Sequence, residues 1–293
     1  TTSKDDGSFS FVKVPYGTWI IREIESPKGY VLSEEEIAVT IGKGDEVVEI
    51  ELVNYFIKGN IALTKVDEDY PDNKLSGAVF EVYSDTNGDG KLDKDDTLLG
   101  EMKELDGGVY QMSELRYGKY LVKETKAPTG FVLDENVYAV SIEENGKTYT
   151  VENKAGVGFI NAAQKGSLKI VKTSSDGKVE GFSFRVTGVD YDQTFKTDKN
   201  GEIVIEGLRI GDYTVSEVSD KASAGYILPA DKQATVKVDA TAIVQMHNEF
   251  RDTPKTGDDF NLGLWVSLAA LSVVGAGVLG FVGYKNRKKK KED

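Results

Sequence analysis

The chain has 293 residues, enough for about two or three domains. It has no cysteine and one histidine, His247, which excludes disulfides, thiolate metal sites and Cys nucleophiles and leaves a single imidazole for any zinc site or Ser-His-Asp triad. Its net charge of −13, from 36 basic and 49 acidic residues, argues against nucleic acid as a partner. With 14 Tyr, 12 Phe, 31 Gly and only 6 Pro, the composition favours strands and turns over disorder.

The chain begins at Thr1, with neither Met nor an apolar leader, and reads as a fragment or a processed form. Its first recognisable segment, IIREIESPKGYVL (residues 20–32), recurs as LVKETKAPTGFVL (121–133) and more loosely as TVSEVSDKASAGYIL (214–228). Asn54 followed by Lys58-Gly59 matches Asn161 followed by Lys165-Gly166, and six residues after each glycine comes a lysine, Lys65 or Lys172. Glu23 precedes Asn54 by 31 residues, as Glu217 precedes Asn248. Lys172 precedes Glu217 by 45 residues, whereas Lys65 precedes Glu124 by 59, because an acidic loop is inserted between them. The repeats therefore run 1–56 (truncated), 57–163 and 164–250, and the lysine of repeat one is expected upstream of Thr1. Within each repeat, short runs of alternating apolar residues between Gly, Asn and Asp turns predict an all-β chain with one β-sandwich per repeat.

The inserted loop reads Asp85-Thr86-Asn87-Gly88-Asp89-Gly90-Lys91-Leu92-Asp93-Lys94-Asp95-Asp96. Side-chain oxygens from Asp85, Asn87, Asp89, Asp93 and Asp96, the backbone carbonyl of Lys91 and a glycine at the sixth position are what an EF-hand-type calcium loop supplies. The loop resembles those of dockerins and of calcium-bearing adhesin repeats. Its flanks read as strands, so the helix pair of an EF-hand is missing. Structural Ca2+ at millimolar levels is the expectation.

Alternation also turns polar residues inward. Lys65 follows Ile61 and Leu63 on one face; Glu124 follows Tyr120 and Val122; Asn161 follows Phe159. The same holds for Lys172, Glu217 and Asn248 in repeat three, and for Glu23 and Asn54 in repeat one. Burial of such groups is costly unless they are paired. Burial lowers the pKa of lysine and raises that of glutamate, so a neutral amine becomes available to attack an asparagine amide while a protonated carboxyl bonds the amide carbonyl and shuttles protons. The product is a Lys–Asn isopeptide bond and ammonia.

YLVKETKAPTGF, of the form Y-x-x-x-E-x-x-x-P-x-G-[YF], resembles the glutamate box of SpaA-like prealbumin-fold domains, also called Cna B-type domains. The resemblance extends over about residues 1–250. It implies Ig-like/prealbumin-like sandwiches, a place among Gram-positive pilins and adhesins, and autocatalytic bonds. By the resemblance Lys65 and Lys172 are the lysines, Glu23, Glu124 and Glu217 the promoting glutamates, and Asn54, Asn161 and Asn248 the asparagines. Repeat three departs from the motif, with two extra residues and no proline in EVSDKASAGYI, and repeat one lacks its lysine.

After a linker at 251–261, residues 262–284 form a run of 23 without charge, followed by a basic tail at 285–293. At ~1.5 Å per residue the run is ~34 Å long as a helix, enough to cross ~30 Å of hydrocarbon. The basic tail places it on the cytoplasmic side and the remainder outside. The 30 basic and 45 acidic residues through Thr256 give that outer part a charge of −15. Before the span stands Thr253-Pro254-Lys255-Thr256-Gly257. This order of parts resembles the cell-wall sorting signal of Gram-positive surface proteins, with Thr253 in place of the usual Leu. The resemblance implies membrane insertion, cleavage between Thr256 and Gly257 by a sortase, and attachment to peptidoglycan.

The function expected is a wall-anchored stalk, adhesin or pilin-like structural protein, not an enzyme. The alternative is the wall-proximal stalk of a surface enzyme or ligand-binding protein whose active domain lies upstream. The acidic segment 67–72 (DEDYPD) is a candidate contact for a host or bacterial surface ligand.

Overall fold

A computed structural model describes residues 1–44 and 47–251. Pro254, Thr256, Gly257, the apolar run and the basic tail lie outside the described residues. Among the described residues no helix is long and apolar enough to cross a membrane.

In repeat one, β1 (Gly17–Arg22) and β2 (Glu36–Ile41) form an antiparallel pair running from Gly17 against Ile41 to Arg22 against Glu36. Repeat two is a two-sheet sandwich of β3 (Lys58–Asp67), β4 (Val79–Ser84), β5 (Thr97–Glu101), β6 (Lys103–Glu104), β7 (Val109–Arg116), β8 (Gly118–Lys126), β9 (Val137–Ile142), β10 (Thr148–Thr150) and β11 (Phe159–Asn161). One sheet has the order β10-β3-β7-β6, with β11 also paired to β3; the other has the order β5-β4-β8-β9.

Repeat three follows the same plan with β12 (Lys165–Ser174), β13 (Ser183–Gly188), β14 (Tyr191–Lys196), β15 (Glu202–Arg209), β16 (Gly211–Val218), β17 (Tyr226–Ile227), β18 (Lys232–Val236) and β19 (Thr241–Phe250). Its sheets are β15-β12-β19-β17 and β14-β13-β16-β18. In both sandwiches the first and last strands lie side by side and parallel, β3 with β11 and β12 with β19.

The period-two pattern explains both cores. Along β3, Ile61, Leu63 and Lys65 are buried on one face, and in β12 Leu168, Ile170 and Lys172 do the same. Phe80, Tyr110 and Phe159 meet edge to face in repeat two, with Phe80 5.2 Å from Tyr110 and 4.9 Å from Phe159 between ring centroids.

Each repeat also carries one corner bond of the same kind. Tyr120 donates its hydroxyl to the Arg116 carbonyl at 2.6 Å, Tyr213 donates to Arg209 at 2.8 Å, and in repeat one Trp19 Nε1 donates to Pro15 at 3.0 Å. The turn after each glutamate box needs a glycine: Gly29, Gly130 and Gly225 have φ of +87°, +87° and +93°. Their carbonyls accept the backbone N–H of Ile57, Gln164 and Arg251, so one turn fixes the exit of every repeat.

The joints between repeats are also alike. Arg116 stacks on the Phe56 ring at 3.9 Å. Arg209, its counterpart, forms a fork on Asp67 at 2.6 and 2.8 Å, reaches Asp69 at 3.0 Å and lies over the Tyr70 ring at 4.8 Å. Lys165 pairs with Asp69 at 3.1 Å. Two carboxylates of the acidic segment 67–72 thus engage the next repeat.

Candidate functional site

The parallel register sets the geometry of the inward polar trios. In repeat two Lys65 on β3 lies opposite Phe159 on β11, and Asn161 comes two residues further along, on the same face. In repeat three Lys172 on β12 lies opposite Met246 on β19, and Asn248 again comes two residues later. The glutamates reach the same place from the facing sheets, Glu124 on β8 and Glu217 on β16.

In repeat two all three side chains are buried: Lys65 and Glu124 are 0% exposed and Asn161 3%. Lys65 Nζ lies 3.9 Å from Glu124 Oε1, donates to the Phe159 carbonyl at 3.0 Å and stands 5.1 Å from the Phe159 ring centroid. Asn161 Nδ2 donates to both carboxylate oxygens of Glu124, at 3.0 and 2.9 Å, while Asn161 Oδ1 is buried without a partner. The amide therefore turns its nitrogen, rather than the carbonyl oxygen expected from the sequence, toward the carboxylate. Burial pulls the Lys65 ammonium down to about 8, against the opposing charges of Glu124, Asp134 and Asp67. Burial likewise pushes the Glu124 carboxyl up, opposed by the Asp134 N–H, the Asn161 amide and Lys65.

Repeat three brings the same three residue types together but bonds them differently. Lys172 is 1% exposed, bonds the Thr173 carbonyl and stands 4.2 Å from the Phe182 ring centroid. Asn248 Nδ2 donates to Glu217 Oε1 at 2.7 Å. Burial lowers the Lys172 pKa and raises that of Glu217. Glu217 Oε2 and Asn248 Oδ1 are both buried and unpartnered. The cause of the first is local. In repeat two the Asp134 N–H donates to Glu124 at 2.8 Å, and in repeat one the Ser33 N–H donates to Glu23 at 2.8 Å. Counted from the turn glycine, the same position in repeat three is Pro229, which has no N–H.

Repeat one holds the remaining pair. Asn54 Nδ2 donates to Glu23 at 2.9 and 2.7 Å, both residues are half-buried, and no lysine joins them among the described residues.

Sequence reasoning missed the support around Glu124. The Asp134 carboxylate accepts from Tyr138 at 2.7 Å, Asn153 at 2.8 Å and the Asn136 N–H at 2.9 Å. Burial pushes its pKa up, but these bonds outweigh it and hold the group below the usual carboxylate range. The only signal in the sequence was the ten-residue interval from Glu124 to Asp134, which repeats between Glu23 and Ser33. His247 bonds Thr173 at 2.8 Å and Glu249 at 3.1 Å on the outer surface, away from the trio.

The acidic loop joins β4 to β5. Asp85 accepts the Gly90 N–H at 3.1 Å, Asn87 donates to Asp93 at 3.1 Å, and Asp96 accepts from Thr86 at 3.0 Å and Asp93 at 2.9 Å. Asp89 accepts the Lys91 N–H at 2.8 Å.

Buried amine, amide and carboxyl thus cluster between the sheets in each complete repeat, the set of groups that amide exchange requires. The SpaA family, a prealbumin-like fold domain, matches residues 1–55, 59–155 and 166–250. No curated protein matches the chain. Among solved structures, the Bacillus anthracis TIE protein is similar at 26% identity over 85% of this chain, with a TM-score of 0.65. This chain spans 44% of that protein's length. The minor pilin of Streptococcus agalactiae is 18% identical over 69% of this chain and 100% of its own, with a TM-score of 0.31. The shaft pilin SpaA of Lactobacillus rhamnosus GG is 14% identical over 67% of this chain and 98% of its own, with a TM-score of 0.30. With a matched segment in every repeat and the same two-sheet plan in both complete ones, the chain belongs to the SpaA family of prealbumin-like fold domains.

Proposed function

We propose that the chain is a pilin-like or adhesin stalk of a Gram-positive surface, stapled by self-formed Lys65–Asn161 and Lys172–Asn248 isopeptide bonds. The observation that carries this reading is the burial of a lysine and an asparagine on neighbouring first and last strands together with a glutamate from the facing sheet, twice in one chain.

A proton passes from the lysine ammonium to the glutamate carboxylate, favoured because burial disfavours both charges. The neutral Nζ attacks the asparagine Cγ. The carboxyl gives its proton to Nδ2, the Cγ–Nδ2 bond breaks and ammonia leaves, while Nζ hands its surplus proton back to the carboxylate as the Nζ–Cγ amide forms. Nδ2 already faces the carboxylate in both repeats. In the chain-entropy model, closing a loop of about 100 residues adds ~4–5 kcal/mol.

Attachment to the wall rests on the sequence alone, on Pro254, Thr256 and Gly257 before an apolar run and a basic tail. In this reading sortase and peptidoglycan are the partners, and Thr256→Ala leaves the chain in the membrane fraction.

Intact mass of the full chain is the test. The wild type is expected to lack two ammonia masses, Lys65→Ala and Glu124→Ala one each beyond the substitution itself, and Lys65→Ala with Lys172→Ala none. A wild-type chain at its full sequence mass defeats the cross-links.

A further inference from the structure

We infer that residues 85–96 form a calcium site that braces the sheet carrying Glu124. Asp85 is only 7% exposed. One of its carboxylate oxygens takes the Gly90 N–H from inside the loop, and the other, Oδ1, is buried with no hydrogen-bond partner. A buried acceptor left bare is costly, and a cation entering the loop relieves that cost.

The loop is curled to receive one. Gly88 and Gly90, at φ of +73° and +76°, turn the backbone so that Asn87 meets Asp93, Asp96 accepts the Thr86 and Asp93 N–H groups, and Asp85 accepts the Gly90 N–H. Asp85, Asp89, Asp93 and Asp96 have no ion-pair partner among the described residues, and Lys94 pairs instead with Asp95. Lys119 donates to the Gly88 carbonyl at 2.8 Å and to no loop carboxylate.

Among the described residues no three acidic side chains converge as they stand. Binding therefore requires the exposed Asp89 and Asp93 to exchange their N–H partners for the ion, while Asp85 is set in advance. Four carboxylates, the Asn87 amide and the Lys91 carbonyl make an all-oxygen set of six, which suits a large, flexible coordination shell rather than the small octahedron of magnesium. Asp96 at the last position reaches less far than the usual glutamate, so the affinity expected is in the range of about 10⁻⁴–10⁻³ M. The bound ion ties the end of β4 to the start of β5. Through Asp85 N–H on the Lys119 carbonyl (3.0 Å), it also ties the loop to β8.

The test is calorimetric titration and thermal unfolding of the full chain with CaCl2 or MgCl2. At tenfold the dissociation constant, calcium is expected to raise the melting temperature of repeat two by about 5 °C. Magnesium is expected to do much less. Asp89→Ala and Asp85→Asn are both expected to lose the heat and the shift. Asp89 is exposed and outside the core, so its variant keeps the fold, as circular dichroism checks. Absence of heat and shift in the wild type, or an undiminished response in either variant, overturns the site. An equal response to magnesium overturns its assignment to calcium.

Discussion

At the scale of single residues, the trio of repeat two is held by opposing costs. Desolvation lowers the Lys65 pKa, while Glu124 at 3.9 Å supports the charged form only in part. The net effect has a sign that can be measured. In an Asn161→Ala chain no bond forms in repeat two and Lys65 keeps its burial. Its pKa is about 8 when folded, against an ordinary 10.5. Between those values the unfolded chain binds the extra proton, so stability rises with pH across the window. The denaturation midpoint of repeat two in the Asn161→Ala chain is expected to be higher at pH 10 than at pH 7.5. Adding Lys65→Met to that chain should flatten the rise, and an equal rise in both chains would show that Lys65 titrates normally. Glu217 lives under a different balance, because Pro229 offers no N–H where Asp134 and Ser33 do. That substitution stands in plain sight in the sequence. Its meaning requires knowing that the residue ten or twelve places on folds back to the carboxylate.

At the scale of strands and turns, alternation revealed most of the architecture. The pairs Ile61/Leu63, Tyr120/Val122 and Leu168/Ile170 mark the inward faces, and the polar residue ending each run is buried as the period requires. The register between first and last strands was not legible, since period two says which face a residue occupies and nothing about which strand lies beside it. The joints were hidden for a similar reason. DEDYPD reads as a solvent-facing acidic run, yet Asp67 is 2% exposed in its side chain because Arg209, 142 residues away, covers it. Two parallel N–H bonds to a buried carboxylate make a strongly coupled pair. A double-mutant cycle of Arg209→Ala and Asp67→Ala on thermal or denaturant unfolding is expected to give a coupling of about 2 kcal/mol, within the ~0.5–3 kcal/mol range for contacting residues. Arg209→Ala alone should be the worse single change, because it leaves the buried Asp67 carboxylate without a countercharge, held only by backbone N–H groups such as that of Asp69 at 2.9 Å. Additive single effects would mean that the pair does not hold the joint.

At the scale of the whole molecule, the parallel arrangement decides how the chain meets a pulling load. Force entering repeat two through β3 and leaving through β11 shears two neighbouring strands that share only three residue pairs, from Lys65 against Phe159 to Asp67 against Asn161. In repeat three β12 and β19 share eight pairs, from Ser167 against Thr241 to Ser174 against Asn248. Without covalent staples, repeat two should therefore yield at the lower force. With them, the load passes through the Lys65–Asn161 bond, and the 95 residues between those positions carry no tension. The same bond in repeat three shields the 75 residues between Lys172 and Asn248. Single-molecule pulling separates these cases. The wild type is expected to show neither unfolding step. Lys65→Ala should show one step with a length gain on the order of 300 Å, and Lys65→Ala with Lys172→Ala should add a second, on the order of 250 Å, at ~3.3–3.6 Å per residue. In the doubly substituted chain the longer step should come first, because three residue pairs give way before eight. Steps of both lengths in the wild type would mean that the load is borne by hydrogen bonds alone, and the reverse order would mean that the parallel clamp is not what resists the force.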